Sequence, residues 1–382
     1  MAEETENRRT DLLCVFVHGF KGTDSTFDGF PERLQNMVAG PGTGVETVSC
    51  VVFPAYESAA TEKFADWLTT TVVHKEVANG QGGGAGKTKV VLCGHSMGGL
   101  LIADAMLAIA ASRLQKTAPL WPHIIACIAY DTPYYGLHPF IFKNQTTKVV
   151  AYAQQAQKLA SGLGLFGAAT ESTSAASSVS SAQPRALLTA TDTTAAASKP
   201  STSSIWNKWA PAAIGAVAAG AAAGAAWYKK EDLTTSVTWA SDHLKYVGNL
   251  WDQKGLHTRV ESLIAVQKES GVYFHNFYTL LPKKSALEEP RTFINLPSKS
   301  SEAFQYHSAV QNTLAEDEIA AHIAMFSPKT NDGYYDLGLQ TADIIRRALE
   351  EANQIEARDA LATMKNIDLG ASHEEKEEDL LS

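Results

Sequence analysis

Residues 87–101 read KTKVVLCGHSMGGLL, and the fold turns on this stretch. Val90 to Cys93 form an unbroken apolar run, as in a strand buried on both faces. The segment MGGLLIADAMLAIAASRL, residues 97–114, follows at once as an Ala/Leu-rich helix. Gly94-His95-Ser96-Met97-Gly98 lies at the junction and fits G-x-S-x-G. In a sharp strand-to-helix turn a serine takes a strained backbone conformation, and little more than glycine fits two positions either side. The motif alone also suits a plain turn. The strand before it and the helix after it favour Ser96 as a nucleophile, with the helix N-terminus supporting negative charge beside it. Gly99 adds room where the helix crosses neighbouring strands.

Further strands are expected in DLLCVFVHGF (11–20), ETVSCVVFPAY (46–56), HIIACIAYDTP (123–133), GVYFHNFYTLLP (271–282) and RTFINLP (291–297). Phe64, Trp67, Leu68 and Val72 recur at helical spacing, and residues 337–364 form a long amphipathic helix or pair of helices. Strands alternating with helices imply a largely parallel sheet covered on both faces.

The chain of 382 residues is long enough for one large domain or two modest ones. Its net charge of -9 argues against a dedicated nucleic-acid binder, which would carry a basic stripe. Cys14, Cys50, Cys93 and Cys127 lie in or beside apolar runs without metal-ligand spacing, so they read as free thiols suited to a reducing compartment. The first ten residues, MAEETENRRT, are polar and flexible with no apolar signal core, which predicts an intracellular protein, cytoplasmic or attached to an internal membrane and not secreted. Residues 366–382 read as an acidic, frayed tail. QGGGAGKT resembles a phosphate loop, but position 81 is Gln81 and the loop precedes a strand, so a surface loop is the better reading.

Residues 137–270 form a long insertion after the strand that ends at Asp131. Residues 161–204 are Ala, Ser and Thr with few large apolar side chains, and are expected to be disordered. Residues 210–228, APAAIGAVAAGAAAGAAWY, form an uncharged Ala/Gly helix. It suits membrane contact through residues 205–230, with Trp206, Trp209, Trp227 and Tyr228 as interface anchors, or a helix of low hydrophobicity packed on the domain or loosely ordered. Position beside the site suggests that part of the insertion acts as a lid.

A serine hydrolase needs two oxyanion donors, a base and an acid. The backbone N–H of Met97 follows the nucleophile, and that of Phe20 lies in the loop after the first strand. His18 precedes the serine and reads as a brace for that loop. The segments VFVHGF, VVLCGHSMGGLL and YDTPYYG resemble the serine-esterase branch of the α/β-hydrolase superfamily, in particular lipase-like proteins of fungal genomes. The resemblance covers about residues 11–136 and resumes over about 271–338. It implies an α/β-hydrolase fold, a Ser-His-Asp triad and hydrolysis of esters or acyl lipids, with no metal or organic cofactor.

In such a fold the order is serine, acid, histidine. His322, before the final helix and followed by MFSP, is the expected base, with His307 as the alternative. His275 lies within a strand pattern and reads as core. The usual place for the acid, after residues 271–282, offers only Glu288 and Glu289, which read as solvated charges. Asp131 ends an apolar strand one earlier, where burial would require a partner such as an imidazole N–H. It is the expected acid, against Asp317 and Asp332, or against a simple turn-capping role with Thr132 and Pro133. The functional expectation is an ester or lipid hydrolase. The competing readings are a catalytically silent, hydrolase-like module that binds membrane or protein, and a hydrolase of a thioester or peptide bond.

Overall fold

The computed structural model describes residues 10–19, 22–39, 45–54, 60–80, 86–113, 120–139, 141, 253–283 and 291–381. They lie in one compact unit formed by Met1–Ile141 and Ala240–Ser382. The expectations for the N-terminus, the disordered segment 161–204, the Ala/Gly helix 210–228, membrane contact through 205–230 and a lid lie outside the described residues.

Parallel strands β1 (Thr10–Val17), β2 (Val45–Val52), β3 (Thr88–His95), β4 (His123–Tyr130) and β5 (Tyr273–Leu281) lie in the order β2-β1-β3-β4-β5, and β7 (His307–Gln311) extends the sheet on β5. The short β6 (Arg291–Thr292) joins β5 antiparallel. Helices α2 (Ala60–Ala78), α3 (Met97–Ala111) and α4 (Gln253–Ser270) cover one face, and α1 (Phe30–Val38) and α6 (Tyr334–Leu381) the other. Between β7 and α6 lies the short α5 (Glu318–Ile323).

The two cores follow from strand alternation. Leu13, Val15 and Val17 of β1 pack with Phe64, Leu68 and Val72 of α2, while Leu12, Cys14 and Phe16 pack with α1 and α6. The order reverses at β1, whose two neighbours follow it in sequence on opposite sides. The carboxyl ends of β1 and β3 therefore lie at the switch point, where open α/β sheets hold ligands.

Three expectations are corrected. Of residues 291–297 only Arg291–Thr292 form a strand: beyond them His138 donates its N–H to the Phe293 carbonyl and Asn295 donates to that of Gly136, so the rest of the segment pairs with the loop after β4. The edge is β7, whose five residues carry little periodic signal. The domain resumes before residue 271, because Leu256, Val260 and Leu263 of α4 are buried at 2% exposure or less. The acidic end continues α6, one helix of 48 residues, because Glu, Lys, Leu and Ala all favour helix. Helix α1, with Pro31 in its first turn where no donor is required, is too short to stand out in sequence.

Among the described residues no helix is long and apolar enough to cross a membrane. All four cysteines are free, three buried and Cys50 half-buried.

Candidate active site

Ser96 joins β3 to α3 at φ 56° and ψ -125°, a conformation L residues seldom adopt. Close packing explains how the turn tolerates it. A Cβ on Gly98 would run into the Val17 carbonyl, and one on Gly99 into the Thr132 side chain. The loop after β1 also abuts the serine, since a Cβ on Gly19 would lie 2.8 Å from Ser96 Cβ. Met97 begins α3, so its N–H has no acceptor within the helix. Phe20 lies outside the described residues. His18 donates from Nδ1 to the Gly19 carbonyl at 2.9 Å, bracing the loop.

His322 sits in α5, whose N-cap Asp317 accepts the Ala320 N–H at 2.8 Å. Phe326, just beyond, inserts among Phe27, Phe30 and Tyr130, at ring-centroid distances of 4.9, 5.0 and 5.2 Å. Asn331 donates from Nδ2 to the Met325 carbonyl at 2.7 Å. The turn after β4 is held as firmly. Asp131 adopts φ 49°, its N–H donates to the Phe277 carbonyl, and Asn276 Nδ2 donates to the Thr132 carbonyl at 3.0 Å.

These elements bring Ser96, His322 and Asp131 into one hydrogen-bonded line. Ser96 Oγ donates to His322 Nε2 at 3.0 Å, and His322 Nδ1 donates to Asp131 Oδ2 at 2.9 Å. All three are at most 3% exposed. Thr279 completes the environment of Asp131, donating its N–H to Oδ1 at 3.1 Å and its hydroxyl to Oδ2 at 2.8 Å. Burial pushes the Asp131 carboxyl up to about 6 against the pull of both Thr279 hydrogen bonds. Burial also holds the His322 imidazole well below its ordinary value, so it rests neutral and able to accept a proton.

The other candidates lie elsewhere. His307 opens β7 and donates from Nδ1 to the Ala303 carbonyl at 2.9 Å. His275 lies in β5 with its ring edge-on to Phe277. Asp317 is the cap of α5, and the exposed Asp332 binds the N–H and hydroxyl of Thr313. Glu288 and Glu289 lie outside the described residues.

Thr279 and Phe293 were not among the residues singled out from sequence. Thr279 carries a weak signal as a polar residue in an apolar strand. Phe293 carries none, because any apolar residue suits a buried position. A cleft of about 210 Å³ lies between Tyr135, Leu256 and Asn295. Leu256 packs against Leu100, one helical turn beyond Ser96.

A mostly parallel sheet with helices on both faces, and a strained serine at the turn into α3, define an α/β-hydrolase fold. Residues 7–194, which is 188 of the 382, match the family described as "Putative serine esterase (DUF676)". The matched stretch contains Ser96 and Asp131, whereas His322 lies beyond it.

Similar solved structures include phospholipase PlaB from Legionella pneumophila, at 18% identity over 33% of this chain and 26% of that one, TM-score 0.26. A cutinase-like protein from Cryptococcus sp. is 12% identical over 33% of this chain and 55% of that one, TM-score 0.23. The RedJ thioesterase from Streptomyces coelicolor is 19% identical over 32% of this chain and 44% of that one, TM-score 0.22. The chain thus spans between 26% and 55% of the length of these three proteins. No curated protein matches it.

Proposed function

We propose that this α/β-hydrolase cleaves carboxylic esters, with acyl lipids as the substrate class, by a Ser-His-Asp triad and an acyl-enzyme. The reading rests on one observation above all: the 3.0 Å hydrogen bond from a serine in a strained elbow to a buried imidazole backed by a carboxylate at 2.9 Å. Ser96 Oγ attacks the ester carbonyl carbon as its proton passes to His322 Nε2, and the carbonyl π electrons move onto oxygen. The resulting imidazolium is stabilised by Asp131. Collapse of the tetrahedral intermediate breaks the bond to the alcohol, which takes the proton from His322. Water then repeats the sequence and releases the acid. The Met97 N–H, and that of Phe20, are the donors assigned to the oxyanion.

The test is labelling with a fluorophosphonate, combined with hydrolysis of p-nitrophenyl esters of increasing acyl length. Wild-type protein should label and Ser96→Ala should not, with kcat falling by about 10⁶-fold or to background. Absence of labelling in folded wild-type protein would leave a silent binding module as the better reading. Rates that do not rise from acetate to longer acyl chains would remove lipids as the preferred class.

A further inference from the structure

His322 carries a contact that the reaction scheme above does not use. Its ring lies between two others. Phe293 stacks on one side with centroids 3.7 Å apart and planes 14° apart, and His95 stacks at 4.5 Å and 28°. Phe293 itself is 1% exposed, held where the 291–295 segment pairs with the loop after β4. His95 is tied to the same helix, donating from Nε2 to the His322 carbonyl at 3.2 Å.

We propose that Phe293 is a positioning residue for His322, keeping the imidazole in the line from Ser96 to Asp131 and stabilising the imidazolium formed when the serine proton arrives. The inference rests on the triad reading given above. Its physical basis is the negative face of an aromatic ring. A neutral imidazole gains mainly packing from that face, whereas a cation gains an electrostatic attraction as well. The contact therefore strengthens as the proton moves from Ser96 Oγ to Nε2, which is the condition for accelerating a step rather than merely binding its reactant. Stacking also blocks rotation of the ring about its bond to Cβ, the motion that would break both hydrogen bonds at once. The titratable and polar groups facing the ring include, among the described residues, Asp131 after β4, and Ser96 and His95 at the end of β3; on α5 itself Glu318 pairs with Arg291. Phe293 adds a π face without a charge that would compete for the proton.

Ester hydrolysis and fluorophosphonate labelling by the full chain should be followed against pH for wild type, Phe293→Leu and protein carrying pentafluorophenylalanine at 293. The fluorinated ring keeps the shape and reverses the polarity of the face, so it serves even where leucine impairs folding. Both changes should lower kcat about tenfold, leave KM within about twofold, and move the acid limb of kcat/KM to lower pH, since an imidazolium without the face is less stable. A variant with wild-type kcat and an unmoved acid limb overturns the role of Phe293. Failure of folded wild type to label overturns the triad reading and this inference with it, so the two failures are distinct.

Discussion

Two buried carboxylates lie at opposite ends of β3, and their partners separate them. At the amino end Glu76, 4% exposed, accepts three backbone N–H groups, from Gly86, Lys87 and Thr88, at 3.1, 2.8 and 3.0 Å on a single oxygen. At the carboxyl end Asp131, fully buried, accepts one backbone N–H, the Thr279 hydroxyl and an imidazole N–H. Backbone donors cannot titrate near neutrality, so through them Glu76 ties the end of α2 to the start of β3. An imidazole can change charge. The same desolvation therefore serves architecture at one end and leaves a group poised to respond to a proton at the other.

The largest separation is expected for activity. Asp131→Asn should lower kcat by about 10⁴-fold, because the amide leaves His322 in the wrong tautomer or unsupported. Stability should move the other way. Asp131 has a folded value of about 6, above its ordinary value, so its contribution to stability is full at low pH and is lost as pH rises through about 6. Urea midpoints should show Asp131→Asn gaining on wild type from pH 5 to pH 8. A variant that loses stability equally at both would give Asp131 the same architectural role as Glu76.

Glu76→Ala makes the opposite bet. Three donors lose their acceptor, at a cost of about 2–3 kcal/mol after partial rehydration, read as a lower urea midpoint. Turnover per folded molecule should stay within about twofold. A tenfold fall in kcat would show that the two ends of the strand are coupled. The smallest effect belongs to Asp317→Ala. Loss of the α5 cap should cost about 1 kcal/mol and leave detectable activity, since Phe326 and Asn331 still anchor the segment. Complete loss of turnover would show that the cap alone holds His322 in place.

How much was legible depended on whether each signal is local. The elbow is written in the single stretch 87–101 because strand, turn and helix are each short-range, and the close approach of Val17 to Gly98 excludes larger side chains there. The strands β1, β3 and β4 are legible because burial on both faces demands continuous apolar runs. The edge strand β7 and the helix α1 are not, since few residues and one covered face leave little pattern. The long end of α6 carries two opposing signals, since its charge suggests fraying while the same residues favour helix.

Sequence by itself determined the parallel α/β architecture, the turn that holds Ser96, and the order in which a serine, a carboxylate and a histidine occur along the chain. Tertiary structure alone decided which of them meet. That His322 reaches Asp131 while Asp317 caps a helix and Asp332 holds Thr313 depends on the aromatic nest that seats Phe326 and on Thr279 facing β4 from the neighbouring strand. So does the stacking of Phe293 on His322. The physical reason is that hydrogen bonds and ring contacts act over about 3–5 Å in space, between residues as far apart in the chain as Asp131 and His322, 191 positions, and spacing in sequence carries no record of that distance.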